Sequence, residues 1–416
     1  MALNHPFIPG PGSRVLVWGF GTHGGGRAAA LACRALGAEV IILDRQPAHH
    51  FGPAADGWTW VVGDGSAPIL QAVDLIVASP AIPPRAWPSQ HPPRICPEHL
   101  FFVQHQGPRV LVSGTKGKST TARILGCLLG WEVGGNSYDP LLDLLASHGP
   151  RVGMVCELSS FQGWYLSSAY PTSQGAVLTS LAVDHLDWHP DLAHYHQAKL
   201  DLLASAPVVV SDPAAAHRFA GHRRVLGPTD WCPALAPRDH LDLLGAHNQA
   251  NAALAISLAR ELGVSDSDIA DRLRQVRPLP HRLQPVPGRH PWHYVDDSIA
   301  TTPEAAMAAM AAIPGPLAII LGGHDKGADL AALASAVVRR GAHPCLIGMT
   351  APRLQQVLEA AGGQPHRAET LAVAMASARE RLPEGGTILL SPACASFDQF
   401  RGFEDRGRQF QALARA

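Results

Sequence analysis

Val110–Thr121 reads VLVSGTKGKSTT. An apolar, β-branched run falls into glycine, and two lysines and a row of hydroxyls follow it, which is how a chain grips phosphate. Gly114 and Gly117 let the backbone close around an anion, the first amides of a following helix offer unpaired N–H donors, and Lys118 adds a full positive charge. Ser119 or Thr120 then stands where a hydroxyl meets Mg2+. Val112 occupies the place of the first glycine in the Walker pattern G-x-x-x-x-G-K-[ST], so the full pattern is not met. Strand, glycine turn, Lys-Ser and helix nevertheless come in the required order, which favours a phosphate loop over a glycine turn with solvated lysines.

Similar short apolar runs recur, each passing into Gly, Ser or Asp: RVLVWG, EVIILD, DLIVASP, RVLVSG, GMVCELSS, AVLTS, PVVVSD, LAIILGG, HPCLIG and GTILLSP. Segments of helical length lie between many of them, such as NQANAALAISLARELG from Asn248 to Gly263. Alternation of this kind predicts βαβ units with parallel sheets, an α/β protein. Two Pro-bearing stretches interrupt the series, CPEHLFFVQHQGP before Arg109 and VRPLPHRLQPVPGRHPW from Val276 to Trp292. The second forbids a continuous helix or a central strand. Domains are expected over 1–106, 107–278 and 279–416.

A chain of 416 residues and 44.0 kDa exceeds what one core usually supports. A formal net charge of −1 gives no basic field for a nucleic-acid backbone. The start, MALNHPFIPGPGSR, has no basic region followed by an apolar one, and no apolar run approaches the roughly 20 residues of a membrane span. The reading is a cytoplasmic protein without nucleic-acid or membrane partners. Seven scattered cysteines without a C-x-x-C pair read as small buried hydrophobes.

Other stretches carry chemistry. VLVWGFGTHGGG places Gly19, Gly21 and Gly24 after a strand, and Asp44 ends the next one where a ribose-binding acid sits. Alone this fits a nicotinamide dinucleotide and an oxidoreductase, but hydride transfer has no need of the second phosphate loop. Glu157 ends a strand in CELSSFQ, and VDHLDWH carries Asp184, His185 and Asp187. Carboxyl ends of parallel strands converge, so Glu157 and His185 could complete a magnesium shell begun by Ser119. From chemistry alone Asp184 or Asp187 ranks ahead of an imidazole, with helix capping as the alternative role for either.

Together SGTKGKSTT, GGN (Gly134–Asn136), ELSSFQ, DHLD, QAK ending at Lys199, HNQAN (His247–Asn251), LPHR ending at Arg282, DDSIATTPEA, LGGHDKG and LSPACASFDQF resemble the Mur ligases, ATP-dependent amide-forming enzymes of peptidoglycan synthesis. The motifs span all the inferred domains in the family's order. LPHR, LSPACAS-DQF and the amino-terminal glycine turn are most similar to the branch that adds D-glutamate to UDP-N-acetylmuramoyl-L-alanine. The resemblance implies a Rossmann-like amino-terminal domain, a central P-loop-type ATPase domain, a Rossmann-like carboxyl-terminal domain, and a monomer.

It also implies roles. Gly114, Thr115, Lys116, Gly117, Lys118, Ser119, Thr120, Asn248, Asn251, Arg282 and Asp297 bind ATP. Ser119, Glu157, His185 and Lys199 serve Mg2+, with Lys199 carbamylated by CO2, although HYHQAKLDLL by itself reads as a helix with a solvated lysine. Lys118, His185 and Lys199 are the catalytic set. Gly19, Phe20, Gly21, Thr22, His23, Asp44 and Arg45 hold UDP, and Asn136, Ser159 and Gln162 the muramoyl part. Thr301, Lys326, Ser396, Phe397 and Phe403 receive glutamate. The sequence departs from the branch at His23, at Ala81 in SPAIP, at Ser180, and at Ile299, where a lysine is usual. Losing that cation could change how the glutamate carboxylates are paired; D-glutamate remains the expected acceptor, with L-glutamate the alternative.

Overall fold

The computed structural model describes residues 8–21, 24–66, 68–166, 171–219, 224–227, 246–325 and 327–416. Each of the ten apolar runs contains a strand. Three sheets result. The first contains β1 (Arg14–Trp18), β2 (Glu39–Asp44), β3 (Thr59–Val62), β4 (Leu75–Ala78) and β5 (Arg94–Ile95), in the order β3-β2-β1-β4-β5. The second contains β6 (Arg109–Ser113), β7 (Glu132–Gly135), β8 (Met154–Glu157), β9 (Gly175–Leu178), β10 (Val208–Ser211) and β11 (Arg224–Leu226), in the order β11-β10-β9-β6-β8-β7. The third contains β12 (Gln284–Val286), β13 (Trp292–Asp296), β14 (Leu317–Gly322), β15 (His343–Ile347), β16 (His366–Glu369) and β17 (Gly386–Leu390), in the order β12-β13-β17-β14-β15-β16. All pairs are parallel except β12 with β13.

Central strands have helices on both faces, so every side chain of β6 from Val110 to Ser113 and of β14 from Leu317 to Leu321 is buried. The chain divides into two compact units, residues 1–238 with 250–275, and 239–249 with 276–416. The first two sheets lie in the former and the third in the latter.

The two interruptions behave differently. CPEHLFFVQHQGP contains a helix, Pro97–Gln104, that buries Leu100, Phe101 and Phe102; it is a packed element, and its proline takes the first helical turn, where no amide is needed. Val276–Trp292 holds only the edge strand β12 before β13 begins, and Pro285 sits in it without an amide to offer, as an edge permits. The predicted helix Asn248–Gly263 runs from Ala246 to Glu261. Of the cysteines, Cys33, Cys96, Cys156, Cys345 and Cys394 are buried and Cys127 is half-buried; Cys232 lies outside the described residues.

Each sheet reverses its winding beside one central strand. β1 lies between β2 and β4, β6 between β8 and β9, and β14 between β15 and β17, which opens a crevice at each carboxyl end. The helices Ser160–Leu166 and Leu192–Leu203 pack beside the second crevice at backbone contact: a Cβ on Gly163 would lie 2.4 Å from the carbonyl oxygen of Ala198. Gly163→Ala is therefore expected to destabilise this unit by about 1–3 kcal/mol and to displace the helix that carries Lys199. Denaturant unfolding checks this; unchanged stability would contradict the close approach.

Candidate active site

The phosphate loop is stitched to the segment that follows β9. Thr115 N donates to the carbonyl of Ser180 (2.9 Å), Lys116 N to Ser180 Oγ (3.0 Å), and Thr179 Oγ1 to the carbonyl of Lys116 (2.5 Å). Both glycines are required. Gly114 has φ 145° and a Cβ there would lie 2.0 Å from Thr179 Oγ1; Gly117 has φ 87°, and a Cβ there would lie 2.3 Å from Asn251 Oδ1. Gly117 caps the helix Lys118–Leu129, whose amino-terminal amides and dipole favour an anion. Lys118 Nζ donates to the carbonyl of Thr115 (3.1 Å), and Ser119 and Thr120 are buried at the helix start.

Lys199 is not the solvated lysine its helix suggests. It is 1% exposed, and its Nζ donates to the carbonyl of Gly114 at 2.8 Å. Burial, with Lys118 adding repulsion against the weaker pull of Asp184 and Glu157, brings its amine down to about 6. A buried neutral amine is a nucleophile for CO2.

Glu157 is fully buried at the end of β8. Oε1 accepts from Asn136 Nδ2 (3.2 Å) and Ser137 Oγ (3.0 Å), while Oε2 is buried with no hydrogen-bond partner among the described residues. An unfilled buried carboxylate oxygen fits a hard divalent cation. His185 takes a left-handed backbone (φ 52°), stands edge-on to Phe161 with centroids 4.8 Å apart, and is held below the ordinary imidazole range by burial, which leaves a lone pair free. Asp184 is engaged by Lys116 Nζ (3.3 Å), and the cap of the helix Leu192–Leu203 is Asp191 rather than Asp184 or Asp187. No group of three or more His, Cys, Asp or Glu side chains poised to hold a metal occurs among the described residues. Ser119, Glu157 and His185 are the residues here that could hold such a cation.

The same unit contains a cavity of about 350 Å3, lined by Phe20, Gly21, Ala81, Asn136, Ser159 and Gln162 among others. Gln162 Nε2 donates to Glu98 Oε1 (2.7 Å), which turns its Oε1 toward Ser159 N (2.7 Å) and Oγ (2.9 Å). Asp44 accepts from the amides of Phe20 and Gln46, both at 2.9 Å, closing the glycine turn on the end of β2. Gly19 and Arg45 flank Asp44 in that turn region, Arg45 exposed; Thr22 and His23 lie outside the described residues.

In the second unit, Asp297 accepts from Leu283 N (3.1 Å) and Ser391 Oγ (2.7 Å), and Arg282 Nε is buried without a hydrogen-bond partner among the described residues. Ser396 is buried, Thr301 half-buried, Phe397 70% exposed, and Phe403 begins the last helix. Asn248 is buried and counts with this unit, Asn251 with the other. Lys326 lies outside the described residues.

Residues 281–394 match the family described as Mur ligase, glutamate ligase domain. The chain is 32% identical over 447 residues to the UDP-N-acetylmuramoyl-L-alanine--L-glutamate ligase of Xanthomonas axonopodis pv. citri (strain 306), covering 97% of this chain and 95% of that one. This chain belongs to the Mur ligase family. It is also 33% identical over 454 residues to the UDP-N-acetylmuramoylalanine--D-glutamate ligase of Myxococcus xanthus (strain DK1622), covering 97% and 98% of the two chains. Among solved structures, the UDP-N-acetylmuramate-alanine ligase MurC of Thermotoga maritima is similar in fold with TM-score 0.59 at 16% identity, covering 96% of this chain and 98% of that one. MurF ligase of the same organism gives 0.58 at 14%, covering 97% and 96%.

Some contacts in this Mur ligase escape sequence reading. Tyr138 OH donates to the carbonyl of Ser119 (2.6 Å), Tyr195 OH to Thr115 Oγ1 (3.0 Å), and Glu98 orients Gln162. Only Tyr195, four residues before Lys199 and so one turn away on the same helix face, carried a positional hint. Asp297 offers a test of burial. Desolvation, reinforced by Asp296 and opposed by its hydrogen bonds and Arg282, lifts its carboxyl to about 6. The folded state then holds a proton that the unfolded chain releases near 4, so stability falls as pH rises from about 4 to 6, by up to roughly 3 kcal/mol. Asp297→Asn is expected to remove that fall. In urea unfolding followed against pH, the variant should gain on the wild type across this window; a constant difference would contradict the burial cost.

Proposed function

We propose that this Mur ligase joins D-glutamate to UDP-N-acetylmuramoyl-L-alanine at the expense of ATP, through an acyl phosphate, as a cytoplasmic monomer in peptidoglycan precursor synthesis. Residues 1–106 bind the UDP-substrate, 107–278 bind ATP, and 279–416 bind glutamate. The observation that carries the reading is the glycine loop of a helix amino terminus with Lys118 beside it and Lys199 buried against its Gly114 carbonyl.

A carboxylate resists nucleophiles. Its oxygen first attacks the γ-phosphorus of ATP and ADP leaves; the glutamate amine then attacks the acyl carbon, loses a proton, and inorganic phosphate departs with the bonding pair. Phosphoryl transfer mostly asks for positioning and charge neutralisation. Lys118 and the loop amides hold the β- and γ-phosphates, while Asn251, Arg282 and Asp297 hold the rest of the nucleotide with Asn248. Asn136, Ser159 and Gln162 orient the muramoyl part in the cavity beside Phe161. Ser119, Glu157, His185 and the carbamate of Lys199 would hold Mg2+, which when bound would neutralise charge on the transferring group. The carbamate forms when the neutral Nζ attacks the carbon of CO2 and releases a proton, turning a neutral amine into an anion with two oxygens. Lys199→Ala is expected to be inactive and partly restored by acetate or formate, measured as phosphate release; rescue by an added amine instead would reverse the charge assigned here.

A second reading, L-glutamate as acceptor, draws support from Ile299 and from the Xanthomonas relative. The enantiomers place one amine and two carboxylates differently about a single carbon, so a site that fixes both carboxylates accepts one well. With UDP-substrate and ATP matched, D-glutamate is expected to exceed L-glutamate in kcat/KM by at least about a hundredfold, roughly 3 kcal/mol at the transition state. A preference for L-glutamate would establish the second reading, and no glutamate-dependent phosphate release would refute both.

A further inference from the structure

Arg406 is the largest fully buried side chain among the described residues, 0% exposed on the helix Phe403–Arg415. Its Nε donates to Ser298 Oγ (2.9 Å), Nη2 to the carbonyl of Ser298 (2.8 Å), and Nη1 to the carbonyl of Cys394 (3.1 Å). Nη1 also stands 3.2 Å from where a Cβ would project from Gly323. One guanidinium thus reaches the loops that leave three neighbouring strands, β13, β14 and β17.

Those loops are also tied to one another, by Ala393 N to the carbonyl of Ala300 (2.9 Å) and His324 N to the carbonyl of Ala395 (2.8 Å). They carry Thr301, Ser396 and Phe397. Ser298 Oγ closes the arrangement by donating to the carbonyl of Phe403 (2.8 Å). The acceptors of Arg406 are all neutral: no carboxylate oxygen lies within 4.0 Å of the guanidinium among the described residues, and Asp398 and Asp296 act only at longer range. A buried charge whose direct partners are all neutral is costly to keep unless it has a task. The planar fork matters as much as the charge, because a lysine ammonium cannot span the same acceptors from one position.

We infer that Arg406 is a positioning residue for the amino-acid acceptor: its fork sets the spacing of the three acceptor loops, and its charge, hydrogen-bonded only to neutral oxygens, favours a dicarboxylate among them. The inference rests on the glutamate-ligase reading above. It separates the backbone that receives glutamate from any side chain that touches it, and it offers a source of positive field where Ile299 supplies none.

The test is steady-state phosphate release by the full chain, varying glutamate at saturating ATP and UDP-substrate, for Arg406→Lys and Ser298→Ala. KM for glutamate should rise about tenfold or more in Arg406→Lys and a few-fold in Ser298→Ala, while KM for ATP and for the UDP-substrate stays within about twofold. A merely structural role would lower the unfolding midpoint and kcat while leaving KM for glutamate at the wild-type value, and that result would overturn the inference. Should Arg406→Lys fail to fold, Ser298→Ala decides in the same way. Wild-type protein that releases no phosphate with glutamate would overturn the ligase reading and this inference with it; wild-type turnover with unaltered KM in the variants overturns this inference alone.

Discussion

The hydrogen bond from Lys199 Nζ to the carbonyl of Gly114 joins the two halves of the candidate chemistry. It commits a long cationic side chain to a buried place inside the curve of the phosphate loop, where desolvation disfavours its charge. The rest of the first unit is arranged around that commitment. Gly163 lets the helix bearing Lys199 approach at backbone contact, Thr179 and Ser180 fasten the loop from just beyond β9, and Tyr195 holds Thr115 from the same helix as Lys199.

A parallel sheet gives the same device three times. At each reversal of winding a crevice opens beyond the strand ends, and glycines line it because the backbone passes too close for a Cβ. Gly19 near Ser79, Gly114 near Thr179 and Gly322 near the carbonyl of Ile347 are such places, with a Cβ falling 2.8, 2.0 and 2.0 Å from those neighbours. What distinguishes the crevices is the chemistry around them: a largely uncharged cavity in the first, a buried lysine and an unsatisfied carboxylate oxygen in the second, a buried guanidinium behind the third.

Strong local signals made much of this legible from sequence. Long apolar runs such as LAIILGG and RVLVSG are strands because parallel strands are buried on both faces. Strands without such runs were not legible: TWVV, EVGG, HRAE and the two residues of β5 are short, and WHYVD buries only its last three positions. The helix Pro97–Gln104 was hidden by its flanking prolines and polar ends. Among site residues, the phosphate loop and Glu157 follow from residue type and position. Lys199 does not, because a lysine among His, Gln and Asp gives no sign that its helix face is buried, and only the family's motif pointed to it. Arg406 gives even less sign, since nothing local separates it from Arg401 or Arg408.

The most direct measurement is 13C NMR of the protein equilibrated with 13C-labelled bicarbonate near neutral pH, beside Lys199→Ala. A buried neutral amine in the phosphate loop predicts one carbamate carbonyl resonance in the wild type that is missing from the variant. Active wild-type protein without such a resonance, or a resonance that survives in Lys199→Ala, would contradict the role assigned to Lys199.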